Sequence, residues 1–324
     1  MERCSSTPVW PLRGSAKDMS SSPDVRWRWR LALATALLAL AWGAPRLGGV
    51  LAAAGATAVS LSAGIAALAV LLLARQQLGL WSDGPRAGAP EPLRGLAVGC
   101  VLATTLLADG NVARARGLWA GDWSAVAALL AGTAAWGAVI ARGGQATLWR
   151  WYALAAAVAL VPVTATIVVL RPAIAVGPFL GAMLFFAAVD AAVLLVTEEL
   201  AFRRALVGRP SAAGLGSIAF AAVVFGLWHV VQPGYGGSPL WSFVGISLGG
   251  FITGCLYVLS DSLTVAAAYH ALHNAPLKAL DGAVVAAGQG RIASTLGLTL
   301  SATLALGLGW LVGRRGGAAR ASLS

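Results

Sequence analysis

Two adjacent carboxylates, Glu198 and Glu199, stand in the stretch VTEELAFRR between two long apolar runs, with Arg203 four residues after Glu199. The same half of the chain holds all three histidines, His229, His270 and His273. Phe225 and His229 are four apart in FGLWH, and His270 and Asn274 are four apart in HALHN. Ionisable groups inside apolar segments are costly, so each is a functional hypothesis by default. On an α-helix, residues four apart share a face. Three helices can therefore each direct a polar group into one cavity, and a Glu–His–His–Asn set is chemically suited to hydrolysis.

The residue types suggest a division of labour. Glu198 is the candidate general base, able to take a proton from an attacking water. Glu199 points about 100° away from it on an α-helix and is placed to pair with Arg203, which orients the site. His229 is placed to hold or polarise the attacking water, and Phe225 to shape the pocket where substrate binds. His270 and Asn274 supply hydrogen-bond donors for an oxyanion hole. His273, about 60° around the helix from His270, is the alternative to it. A His₂Glu zinc site is the competing chemistry. Against it, HExxH is absent and no two histidines have the four-residue helical spacing.

These groups need a scaffold that can bury them in an apolar medium. The chain has 324 residues, 58% of them hydrophobic and 11% charged, with mean hydropathy +0.79. Soluble domains carry about 25% charged residues. Continuous apolar runs recur from Leu31 to Val312, so the expected fold is all-α, a polytopic bundle of transmembrane helices. A β-barrel would show alternation instead. The runs fall roughly at 31–45, 50–74, 94–108, 123–141, 149–170, 173–206, 213–232, 240–259, 263–280 and 294–313, which predicts about ten spans, eight to ten allowing for short ones. High Ala and Gly content suits helices packed at close range.

The net charge of +11 belongs to loops and tails, not to a nucleic-acid surface. The leading tail holds Arg3, Arg13, Lys17, Arg26, Arg28 and Arg30, and the trailing one Arg314, Arg315 and Arg320. By the positive-inside rule both termini are expected in the cytoplasm. Trp149, Trp151, Trp241 and Trp310 fall near segment ends, as interfacial aromatics do. Pro45 and Trp42 at the end of the first run argue against a cleaved signal peptide and for a retained helix. Cys4, Cys100 and Cys255 are scattered, without metal or redox spacing. Four regions follow: a basic tail at 1–30, amino-terminal helices at 31–171, a core at 172–280 bearing the polar groups, and a last helix with a basic tail at 281–324.

The ordered patterns EExxxR (Glu198, Glu199, Arg203), FxxxH (Phe225, His229) and HxxxN (His270, Asn274) resemble those of the CPBP intramembrane glutamic endopeptidases. That family comprises CAAX-processing proteases and bacteriocin-immunity-type membrane proteins. The resemblance covers roughly 180–280. It implies an intramembrane peptidase that uses glutamate and histidine without metal or cofactor, and eukaryotic relatives act on prenylated carboxyl termini. The position after the motif arginine, often Gly in that family, is Arg204 here. The expected partners are a membrane-anchored peptide substrate and the lipid bilayer. The Arg- and Ala-rich usage suggests a bacterial plasma membrane, where a prenylated substrate is less expected. Two other classes use similar residues: a non-catalytic immunity or scaffold protein, and a proton-coupled transporter. No internal repeat of the transporter kind is evident.

Depth along the helices is the weak point of convergence. At ~1.5 Å per residue, Glu198 and His270 each lie about 12–14 Å from the inner loops, whereas His229 lies about 18–24 Å from its own.

Overall fold

The computed structural model describes residues 23–53, 148–232 and 238–321. The apolar runs expected at 94–108 and 123–141, and most of that at 50–74, lie outside them. The described residues are helical throughout: α1 (Pro23–Ala53), α2 (Trp149–Leu170), α3 (Val176–Val193), a π-helical segment (Leu194–Val207), a short 3₁₀ turn (Pro210–Ala212), α4 (Leu215–Val230), α5 (Pro239–Ser260), α6 (Leu263–Ala286) and α7 (Gly290–Ala321). α2, α4 and α5 coincide with expected apolar runs to within two residues, the single run at 173–206 divides into α3 and the π segment, and α6 and α7 extend six and eight residues beyond the ends of theirs. Among the described residues, three helices, Trp149–Leu170, Pro239–Ser260 and Gly290–Gly317, are long and apolar enough to cross a membrane. Helices of this length and apolarity mark a membrane protein.

Cross-contacts at the helix ends set the direction of each span. The hydroxyls of Tyr152 at the start of α2 and Thr264 at the start of α6 share a 2.5 Å hydrogen bond. Arg315 near the end of α7 donates to the Val258 and Leu259 carbonyls at the end of α5, at 2.5 and 3.1 Å. Arg30 in α1 reaches the Val207 carbonyl at 2.9 Å. These ends share one side of the bundle. On the other side, Gln289 donates to the Leu170 carbonyl at 3.1 Å. Arginines at helix carboxyl ends satisfy carbonyls that have no intrahelical partner. Trp149 and Trp241 are exposed near the starts of their helices, as a lipid-interface position requires.

α6 lies at the centre, packed against α2, α3, α5 and the π segment, while α4 packs on α5, α1 and the π segment. One apolar core joins Leu37 of α1, Leu200 and Phe202 of the π segment, Ile218 of α4 and Leu256 of α5. α4 and α5 come close because α5 offers Gly250 and Gly254, four apart. A Cβ at Gly250 would sit 3.0 Å from Phe225 Cδ1, and one at Gly254 2.7 Å from Ile218 Cγ2. Small residues at this spacing let helix backbones approach in lipid.

The contact at Gly254 gives a first prediction. Gly254→Leu drives a side chain into Ile218 and should destabilise the bundle by about 1–3 kcal/mol, the usual cost of overpacking. Gly249→Leu, at a position with open space, should cost far less. Thermal unfolding of both variants in one detergent checks this, and equal melting shifts would sink the packing account.

Candidate active site

Glu198, Glu199 and Arg203 lie on the π segment rather than on the α-helix that the spacing suggests. Its closing bond runs from the Gly208 N–H to the Arg203 carbonyl at 3.1 Å, a five-residue step. A helix with i→i+5 bonds is wider than an α-helix, and such turns occur frequently at functional sites. Wider winding separates consecutive side chains by less than the ~100° of an α-helix. The two adjacent carboxylates therefore splay less than the sequence pattern implies, and one side chain can address both.

That side chain is His270 on α6. Its Nδ1 meets Glu199 Oε1 at 2.8 Å, and its Nε2 lies 3.9 Å from Glu198 Oε2. The first is a hydrogen bond, while the second has ion-pair length only. The other oxygen of Glu199 faces Arg203 Nε at 3.1 Å. Glu199 and Arg203 are 0% and 1% exposed, whereas Glu198 keeps 8%. Glu199 is thus enclosed between an arginine and a histidine. Of the two carboxylates, Glu198 is the one with some access left.

Phe225 of α4 joins the remaining groups. The Arg203 guanidinium lies over its ring at 5.1 Å, a favourable position for a buried cation. The His229 ring packs edge-on against it at 4.4 Å and the His270 ring at 5.7 Å. One phenyl group is therefore in contact with both imidazoles, and the depth gap between His229 and His270 closes across it. His229 Nδ1 is 3.0 Å from the Phe225 carbonyl. A carbonyl can only accept, so Nδ1 carries the hydrogen and a neutral His229 keeps its lone pair on Nε2. In the same way, a neutral His270 donating from Nδ1 to Glu199 has an acceptor at Nε2, and only the imidazolium donates from both nitrogens.

Asn274 lies one turn beyond His270 on α6, half-buried. Two residues later comes Pro276, inside the helix. Proline has no N–H, so the Leu272 carbonyl, between His270 and Asn274, loses its helical donor. His273 turns elsewhere. Its ring stacks on Tyr269 at 5.5 Å and lies against the Ala159 backbone of α2. Between the two histidines, His270 is the one that meets the glutamates.

Some participants escape the motif search. Trp228 stacks parallel to Phe225 at 6.4 Å and packs edge-on to His229 and Phe202. Its three-residue offset from Phe225 is a helical neighbour spacing and was available as a signal. Tyr257 donates to the Gly208 carbonyl at 3.1 Å and receives Arg204 Nη1 at 3.4 Å. No local sequence signal links those residues. Among the described residues, no group of three or more His, Cys, Asp or Glu side chains is set as metal ligands would be.

Residues 178–276 match the family model described as type II CAAX prenyl endopeptidase Rce1-like. This segment is similar to the CAAX prenyl endopeptidases. No curated protein and no solved structure matches the chain. The Rce1-like segment contains Glu198, Glu199, Arg203, Phe225, His229, His270 and Asn274, while α1, α2 and α7 lie outside it.

The enclosed pair of the Rce1-like segment is testable by stability. Glu199→Gln leaves Arg203 buried without its counter-charge and should cost about 3–5 kcal/mol. Adding Arg203→Met should recover most of that loss, because the charge to be compensated is gone. Unfolding of the single and double variants in detergent decides it, and additive losses would sink the account.

Proposed function

We propose that this protein is an intramembrane endopeptidase that cuts membrane-embedded or membrane-anchored peptides with a water activated by Glu198 and no metal. The carrying observation is the chain Arg203–Glu199–His270–Glu198, in which three members hold one another and the fourth, Glu198, keeps some exposure. Glu199 is engaged with both His270 and Arg203, which disfavours reading it as a ligand awaiting an ion.

In the proposed reaction Glu198 removes a proton from water, and the resulting hydroxide adds to the scissile carbonyl. His229 Nε2, the acceptor left by the Nδ1 bond to Phe225, accepts a hydrogen bond from that water and orients it. The tetrahedral oxyanion takes donors from His270 Nε2–H and the Asn274 amide. For that role His270 must be the imidazolium, since its Nδ1–H is already given to Glu199. On collapse the proton held by Glu198 passes to the leaving amine, which balances the cycle. Phe225 contacts both histidines and would set the width of the cleft that receives the peptide.

The family's CAAX specificity supports a substrate tethered near the membrane surface. Both termini are proposed to be cytoplasmic in a bacterial plasma membrane. Arg30, Arg204, Arg209 and Arg315 gather on the side of the bundle where α1 begins and α7 ends, which supports that orientation.

Purified protein in nanodiscs, presented with a library of membrane-anchored peptides, tests the reading. Wild type should cleave with or without a strong zinc chelator. Glu198→Gln should lose about 10²–10⁴-fold in turnover, the usual worth of a general base, and His229→Ala should lose activity in parallel. Loss on chelation would move the chemistry to a metal. Full activity in Glu198→Gln would remove that residue from the reaction.

A further inference from the structure

α1 lies outside the family-matched segment, yet one face of it enters the same core as the glutamate-bearing turn. Leu33, Leu37 and Ala41 are buried there beside Leu200, Phe202 and Leu206. One turn ahead of that stripe stands Arg30. Its Nη2 donates to the Val207 carbonyl at 2.9 Å, the last residue of the π segment. Its guanidinium also lies over the Trp27 ring at 5.3 Å, and Trp27 packs edge-on against Phe220 of α4 at 5.3 Å. The next carbonyl, that of Gly208, accepts the Tyr257 hydroxyl of α5 at 3.1 Å. Gly208 adopts φ +90°, and a Cβ there would sit 3.2 Å from Arg30 Nη2. Two side chains from distant helices thus close the carboxyl end of the segment that carries Glu198, Glu199 and Arg203.

The segment needs such closure. LLVTEELAFRRALV is rich in Leu, Glu, Ala and Arg, all strong α-formers. The wide winding is rare and occurs in short pieces, so its origin lies in tertiary contacts. Its last carbonyls lack intrahelical donors, and in an apolar surround each needs a partner. The two windings diverge residue by residue. A return to α pitch, anchored at Gly208, would turn Glu198 and Glu199 off the face that meets His270.

We propose that Arg30 is a positioning residue for the glutamate pair: together with Tyr257 it locks the carboxyl end of the π segment and so sets the direction in which both carboxylates face His270. The amino-terminal helix is then a working part of the peptidase. The consequence for catalysis rests on the peptidase reading, while the geometric claim stands apart from it.

The full chain in nanodiscs, with ¹⁵N-labelled histidine, separates the two. The chain has three histidines, so the ring signals of His270 can be assigned by substituting His229 and His273. Arg30→Ala should shift the His270 ring nitrogens away from the Glu199-bonded signature, and Arg30→Lys, which retains one charged donor, should restore it. On a membrane-anchored peptide that wild type cleaves, Arg30→Ala should lower kcat about 10–100-fold with KM little changed, as a misplaced catalytic group does, and Arg30→Lys should recover most of that. Tyr257→Phe should move both readouts in the same direction by less, and it decides the matter if Arg30→Ala does not fold. An unchanged His270 signature in Arg30→Ala, or in Tyr257→Phe where the former does not fold, overturns the proposal. So does an Arg30→Lys protein that regains thermal stability without regaining the signature. If wild type cleaves no peptide, the peptidase reading fails by itself, and the histidine signals still decide the positioning claim.

Discussion

Glu199 is the constraint on which the centre of this molecule depends. A fully buried carboxylate has no water to solvate it, so it must find charge and hydrogen bonds inside the protein. It finds Arg203 on its own segment and His270 on α6. The first contact keeps the segment's polar face together. The second ties that face to the central helix of the bundle. Each further feature of the site follows from this tie: the His270 ring has one nitrogen committed and the other turned toward Glu198, and the Arg203 cation comes to rest on Phe225.

Phe225 is the apolar counterpart of Glu199. A phenyl ring next to a guanidinium and two imidazoles offers a π-face and edge contacts without competing for hydrogen bonds. It can therefore separate His229 from His270 while touching both. Trp228, Phe202 and Phe225 form an aromatic floor, which limits how far these rings can swing. Rigid support of this kind is what a preorganised reaction centre needs.

The helices outside the matched segment are more than membrane anchors. α2 receives His273 and shares the Tyr152–Thr264 bond with α6, α7 caps α5 through Arg315, and α1 caps the π segment through Arg30. Arginines that a topology count assigns to loops serve here as donors to carbonyls at helix ends. Both uses agree, because a helix carboxyl end at the membrane surface favours a cation whether the partner is a backbone carbonyl or a lipid headgroup.

Much of this was legible along the chain. Apolar runs marked α2, α4 and α5 to within two residues and the places of the other helices, because lipid demands long uninterrupted apolar stretches. Glu198, Glu199, Arg203, His229, His270 and Asn274 stood out because polar groups in such stretches are rare and fell at helical spacing, and Phe225 through its four-residue offset from His229. What the chain could not disclose was the winding of VTEELAFRR. Its residues favour an α-helix, and only contacts with α1, α5 and α6 hold the wider turn. Nor could periodicity reveal that His270 faces the glutamates while His273 faces α2, since the two lie on neighbouring parts of one helix and packing alone chooses between them. Residue type and spacing determined which groups enter the membrane; which of them meet, and at what angle, was decided by helices brought together from opposite ends of the sequence.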